Sequence, residues 1–268
     1  MSPRPSQSRP ATTKLSGIVI AKNEERVIER CLRSLEFCDE ILLIDSGSSD
    51  GTSEIAHACG AQVILDNWRG PATQRNRGLA RAQGEWRLLL DADEWVSDAL
   101  RVEIQNLLYH PRREAAFRIR RSSSYCGQVM RHSGWWPDPV MRLLRQGAAR
   151  FEGGIVHESA VADGPVGMLA HPLMHEPARD LEQVLAKVNA YSTWGAQTLH
   201  EQNKQPGVAT AILHGVWAFL RTYLLRAGFL DGRRGFLLAV SNAEGSYYKY
   251  VKAMLLAEQE ALQRTPSG

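Results

Sequence analysis

Three carboxylates crowd one strand end in Trp86-Arg87-Leu88-Leu89-Leu90-Asp91-Ala92-Asp93-Glu94. An apolar run that closes on Asp-x-Asp presents hard oxygen ligands suited to Mg²⁺ or Mn²⁺, and a cation there offsets the charge of a diphosphate. The chemistry implied is that of a nucleotide-activated group. The same spacing also arises where acidic residues open a helix, so the neighbouring elements must decide.

Those neighbours alternate short apolar runs with amphipathic stretches, the pattern of strands and helices layered about a mostly parallel sheet in an α/β fold. Strands are predicted over 15–21, 40–45, 61–65 and 86–90. Asn23 is placed to cap a first helix, with Glu24 and Glu25 at its positive end and Val27, Ile28, Cys31, Leu32 and Leu35 on its apolar face. Residues 46–52 read as a turn into a helix that ends near 58, with Asp50 as its cap, and a further helix over 73–82 stops at Gly84.

After this the alternation ends. A helix is expected over 97–109, then strands over 115–121 and 140–145 around a loop holding Trp135-Trp136-Pro137-Asp138. Leu181, Val184, Leu185, Val188 and Tyr191 mark a helix, and 207–260 reads as helical with a break near 228–235. The expected organisation is a disordered tail over 1–14, a catalytic domain over 15–180 with halves at 15–108 and 109–180, and a helical extension over 181–268.

The net charge of +3 is too small for a dedicated nucleic-acid binder. Cys31, Cys38, Cys59 and Cys126 have neither zinc-ligand spacing nor the look of a secreted disulfide framework, which fits a reducing cytoplasm. In open α/β sheets ligands sit beyond the carboxyl ends of the strands, and here those ends carry Lys22-Asn23-Glu24, Asp45-Ser46-Gly47 and Asp91-Ala92-Asp93. Together they outline one crevice.

The phrases IVIAKNEE, ILLIDSGSSDGT, QRNRGL and GEWRLLLDADE closely resemble the inverting family 2 glycosyltransferases of GT-A fold, over about 15–108. More narrowly, GWWPD, RFEGGIVHE, DGPVG, the His175 region and GFLDGRRG resemble bacterial lipopolysaccharide-core glucosyltransferases of the WaaE or KdtX type. The resemblance implies a Rossmann-like three-layer α/β/α domain that takes UDP-glucose as donor and a lipopolysaccharide inner-core glycolipid as acceptor. It assigns Asp45 to the uracil or ribose, with Ala21 to Glu24 lining the same nucleotide pocket. Arg75 and Asn76, in an Arg-Asn-x-Gly segment, would approach the nucleotide, where Arg suits a diphosphate; either could instead cap or bridge elements. Asp91 and Ala92 would line the ribose or the metal's water shell, Asp93 would bind the cation, and His175 would complete its coordination.

Inversion requires an acceptor hydroxyl to attack opposite the departing UDP, with a carboxylate near enough to take its proton. Glu158 is the preferred base and Asp138 the competitor. Trp135 and Trp136 offer flat apolar faces for a pyranose or for a core, and the flanking Gly134 and Pro137 favour an exposed rim for one of them. The rival readings are transfer of another hexose or a heptose to another bacterial glycan, and a noncatalytic glycolipid-binding protein of the same fold.

The apolar stretch 208–225 is interrupted by His214 and Arg221, and reads as too short and polar to span a bilayer of roughly 20-residue thickness. Packing against the catalytic domain is its favoured role. An interfacial helix on the cytoplasmic face of the inner membrane is the alternative, helped by Arg118, Arg120, Arg121, Arg142, Arg145 and Arg150, most of which are expected to be solvated.

Overall fold

The computed structural model describes residues 14–110, 112–153 and 158–264, so the expected tail, apart from Lys14, lies outside the described residues, as does His157. Two compact units are formed, Met1–Arg121 with Pro139–His175, and Ser122–Asp138 with Glu176–Gly268.

The first unit opens with β1 (Leu15–Ala21), α1 (Ile28–Arg33), β2 (Glu40–Asp45), α2 (Thr52–Ala58), β3 (Gln62–Leu65), α3 (Pro71–Arg81) and β4 (Trp86–Asp91). β1 lies between β2 and β4, and β3 flanks β2, all in parallel register. Ile18 and Val19 point to opposite faces of β1 and both are fully buried, as a strand covered by helices on both sides requires. One core layer joins Val19, Leu43 and Leu90 to α1, and the other joins Ile18, Ile44 and Leu89 to Ala72 and Leu79 of α3.

Past β4 the direction reverses. The chain adds β5 (Glu94–Val96), α4 (Asp98–Leu108), β6 (Ala116–Tyr125), β7 (Gln128–Val129), β8 (Pro139–Arg145), β9 (Ala149–Gly153), β10 (Glu158–Ala162), β11 (Val166–Met168) and β12 (Leu173–Ala178). The strand order is β3-β2-β1-β4-β8-β6-β12-β5, with β8 antiparallel to both β4 and β6. The result is an α/β fold whose mixed sheet is parallel over its first four strands, while β9 and β10 form a separate antiparallel pair.

The first helix departs from expectation. α1 begins at Ile28, and Asn23 stands outside it with φ of 57°. Instead of capping α1, the Asn23 side chain accepts from Ser49 N–H at 2.8 Å while its backbone N–H donates to Ser48 Oγ at 2.9 Å. Asp50 likewise is not the N-cap of α2, which is Gly51; its carboxylate accepts from Thr52 N–H and from Glu25 N–H. The loops after β1 and β2 therefore brace each other.

In the second unit, α5 (Leu181–Glu201) is capped by Asp180, and α6 (Val208–Leu220) runs through a π turn at Arg221–Leu225 and a 3-10 turn at Gly228–Asp231 into α7 (Gly232–Arg264). α6 and α7 form an antiparallel hairpin: His214 stacks on Tyr250, a Cβ on Gly215 would touch Tyr247, and Asn242 donates to Thr222. Two expectations for 208–225 are corrected here. The stretch of 18 residues does meet the length and composition of a membrane span, and only 17% of it is buried, so packing does not cover its apolar side.

Gly78 sets how closely α3 approaches the sheet. A Cβ there would lie 2.4 Å from Ile18 Cγ2 and 3.3 Å from Ile44 Cγ1, both in a packed core. Gly78→Ala is predicted to destabilise the protein by about 1–3 kcal/mol through overpacking, read as a lower denaturant midpoint at unchanged slope.

Candidate active site

Gly78 and Arg75 are one turn apart on the sheet-facing side of α3, so the close approach of that helix carries the Arg75 guanidinium to the end of β4. Arg75 is 9% exposed. Its Nη2 donates to Asp91 Oδ1 at 2.5 Å and its Nη1 donates to Glu158 Oε2, the first residue of β10. A single fork thus joins two of the expected site carboxylates.

A second guanidinium reaches the same spot from β8. Arg142, 4% exposed, donates through Nη2 to Asp91 Oδ2 at 2.5 Å and to Glu94 Oε1 at 2.7 Å. Glu94 is fully buried, accepts from Asp91 N–H at 3.0 Å, and pairs with Arg121 at 3.3 Å. For Asp91, burial works to raise the pKa, but the Arg142 and Arg75 guanidiniums outweigh it and hold the carboxyl well below the usual carboxylate range. Arg142, one of the arginines most of which are expected to be solvated, is therefore a buried member of the site. The signal for it was present: an arginine inside the apolar run Val140-Met141-Arg142-Leu143-Leu144 needs a buried anion.

Both oxygens of Asp91 accept from guanidiniums, so its carboxylate anchors the network. Ala92 is buried at the turn. Asp93 faces His175, with Oδ1 3.6 Å from Nε2. The pairing follows from the β5–β12 ladder, in which His175 lies opposite Glu94. Among the described residues no three His, Cys, Asp or Glu side chains converge on a point. One carboxylate and one imidazole nevertheless fit a divalent cation such as Mn²⁺ that takes its remaining ligands from substrate phosphates and water.

A cavity of about 430 Å³ is lined by Arg75, Asp91, Arg118, Arg142, Glu158 and Ser159 among others. Glu158 Oε1, at its wall, is buried with no hydrogen-bond partner. A buried carboxylate oxygen in that state is costly unless a ligand donates to it.

The other expected residues separate. Asp45 is fully buried, accepting from Ser48 N–H and Oγ at 2.9 and 2.7 Å and from Ser53 Oγ at 2.5 Å. Ala21 is buried at the end of β1, where its carbonyl accepts from Ser46 N–H; Glu24 N–H donates to Thr52 Oγ1. Asn76 bridges α3 and β9, as its amide donates to Phe151 O at 2.7 Å and accepts from Phe151 N–H at 2.9 Å. Trp135, Trp136 and Asp138 belong to the second unit, where Trp135 packs edge-on to Tyr125 and Trp136 is 40% exposed.

The profile for glycosyl transferase family 2 matches residues 16–159. The lipopolysaccharide core biosynthesis glycosyltransferase LpsC of Rhizobium meliloti is 30% identical over 94% of this chain and 95% of its own length. An uncharacterized glycosyltransferase of Rickettsia prowazekii, RP128, is 28% identical over 89% of this chain and 86% of its own. Among solved structures, glucosyl-3-phosphoglycerate synthase from Mycobacterium tuberculosis in complex with Mn²⁺, UDP and phosphoglyceric acid aligns at 29% identity over 44% of this chain and 45% of its own, with a TM-score of 0.33.

Removing one partner from a buried charge network leaves the others uncompensated. Glu94→Ala is predicted to cost about 3–5 kcal/mol in chemical denaturation, since Arg142 and Arg121 lose their shared anion. Asp91 has a depressed pKa, so its stabilisation is complete above the unfolded value of about 4 and is lost as pH falls below it toward the folded value. Stability measured from pH 6 down to pH 2 should decline along that limb, and Asp91→Asn should flatten it.

Proposed function

The chain belongs to glycosyl transferase family 2, and from that premise we propose that it moves glucose from UDP-glucose to a lipopolysaccharide inner-core acceptor by a single inverting displacement. The LpsC relative, matched along nearly its whole length, supports the acceptor class. The observation that carries the mechanism is the unpartnered Oε1 of Glu158 in a cavity it shares with Arg75 and Asp91.

In this reading Arg75 fixes one oxygen of Glu158 and leaves the other to the acceptor. The acceptor hydroxyl gives its proton to Glu158 as its oxygen bonds to the anomeric carbon. The bond from that carbon to the diphosphate oxygen breaks, and its electron pair leaves on UDP. No covalent sugar–protein intermediate is required, because attack from the face opposite UDP inverts the centre in one step. Glu158 is preferred to Asp138 because it lines the same cavity as Asp91 and keeps an oxygen without a partner.

Asp93 and His175 are the residues proposed to hold Mg²⁺ or Mn²⁺, which when bound supplies electrostatic stabilisation to the departing diphosphate. The braced loops that follow β1 and β2, from Ala21 to Glu24 and around Asp45, are proposed to frame the nucleoside. Trp136 offers an exposed ring for a sugar face. The four cysteines are unbridged, consistent with assigning the reaction to the cytoplasm, where a nucleotide sugar and a nascent glycolipid meet.

The test is transfer of labelled glucose from UDP-glucose to a defined inner-core acceptor, with release of UDP and the anomeric configuration of the product read by NMR. Glu158→Gln is predicted to lower kcat by about 10²–10⁴ while UDP still binds in calorimetry. Asp93→Ala should abolish most turnover and weaken metal-dependent UDP binding, with the thermal midpoint retained. Transfer at the normal rate by Glu158→Gln would remove the base assignment; retention of configuration would remove the single displacement.

A further inference from the structure

The hairpin formed by α6 and α7 ends in a surface the sugar-transfer reading does not use. Trp217, Leu220, Leu224, Leu225, Phe229 and Leu230 are all exposed along this end, with Leu225 at 69% and Leu230 at 60%. Solitary exposed apolar side chains are ordinary, but a group of them gathered at one end of a hairpin marks an interaction surface. Phe219, Tyr223, Phe229 and Phe236 pack ring to ring at this end, with centroids 5.5–6.3 Å apart, so the turn is built as a firm element.

The exposed charges of the stretch 208–237 have one sign. Arg221, Arg226 and Arg233 are exposed beside the apolar residues. The one acid of the stretch 208–237, Asp231, is 6% exposed, and its carboxylate accepts from Arg131 N–H, His132 N–H and Ser133 Oγ. Apolar side chains ringed by arginines with the acid withdrawn complement an anionic bilayer surface, where aromatic and aliphatic groups enter the headgroup boundary and guanidiniums meet lipid phosphates.

Spanning is disfavoured by what α6 packs on. If α6 crossed the hydrocarbon, α7 lying along it would carry Glu244, Lys249 and Lys252 inward, and ionised groups at that depth are expensive. We propose that the tip of the α6–α7 hairpin is a peripheral anchor that inserts Leu224, Leu225, Phe229 and Leu230 into the interface of an anionic phospholipid bilayer, with Arg221, Arg226 and Arg233 on its headgroups. The anchor goes beyond the transfer reaction and stands or falls without it.

The experiment is flotation of the purified full chain with vesicles of phosphatidylglycerol and phosphatidylethanolamine, and with pure phosphatidylcholine. Binding is expected to the anionic vesicles, weakened by salt and extracted by alkaline carbonate. The double variant Leu225→Ser, Leu230→Ser should lose binding by at least about tenfold, as burial of two leucines is removed. Its thermal midpoint should stay within about 2 °C of the parent, because both side chains are exposed. Arg221→Gln with Arg226→Gln should abolish the preference for anionic lipid. Three results would each overturn the proposal: no binding to either vesicle, binding unchanged in the leucine variant, or resistance to carbonate extraction. A concentration-dependent dimer that the leucine variant dissolves, without lipid binding, would reassign the surface to self-association and overturn it as well.

Discussion

The guanidinium of Arg75 ties the end of β4 to the start of β10, two points on which the rest of the site depends. It does so from a helix pressed onto β1 through Gly78, where no side chain larger than hydrogen fits. Around it Arg75, Arg142 and Arg121 meet Asp91, Glu94 and Glu158, three cations against three anions. Burial of so many charges is tolerable only because they match, and the match determines which carboxylates are engaged. Asp91 and Glu94 are held on both sides. Asp93 turns toward His175, and Glu158 keeps one oxygen without a partner. The division of labour among four carboxylates follows from where the arginines enter.

The loops that follow β1 and β2 have a different physics. Asn23, Glu24 and Glu25 after β1 exchange hydrogen bonds with Ser48, Ser49, Asp50, Gly51 and Thr52 after β2. Asn tolerates the left-handed backbone that this crossing demands at Asn23. These polar residues hold two loops in fixed relation beyond the strand ends, which makes a firm edge for a ligand in place of two mobile turns.

The sequence made the parallel half legible because buried central strands read as unbroken apolar runs: β1 and β2 have the predicted limits, and β4 extends one residue further, through Asp91. It concealed β9 to β12, which are only three to six residues long and carry little periodicity. Residue types pointed correctly to where carboxylates gather, but not to what each one faces. Asn23 has the composition of a helix cap, yet a partner distant in the chain, Ser49, claims its side chain. Such long-range claims leave no local trace. Arg142 did leave one, in the apolar run of β8, since a buried cation presupposes buried anions.

The most direct measurement of the central interaction is a double-mutant cycle on the rate of sugar transfer, using Arg75→Lys, Glu158→Gln and the pair together. If one fork positions the base, the two losses overlap, and the double variant transfers sugar about as slowly as the worse single one. Losses that multiply independently would contradict the account, because Arg75 and Glu158 would then be acting apart.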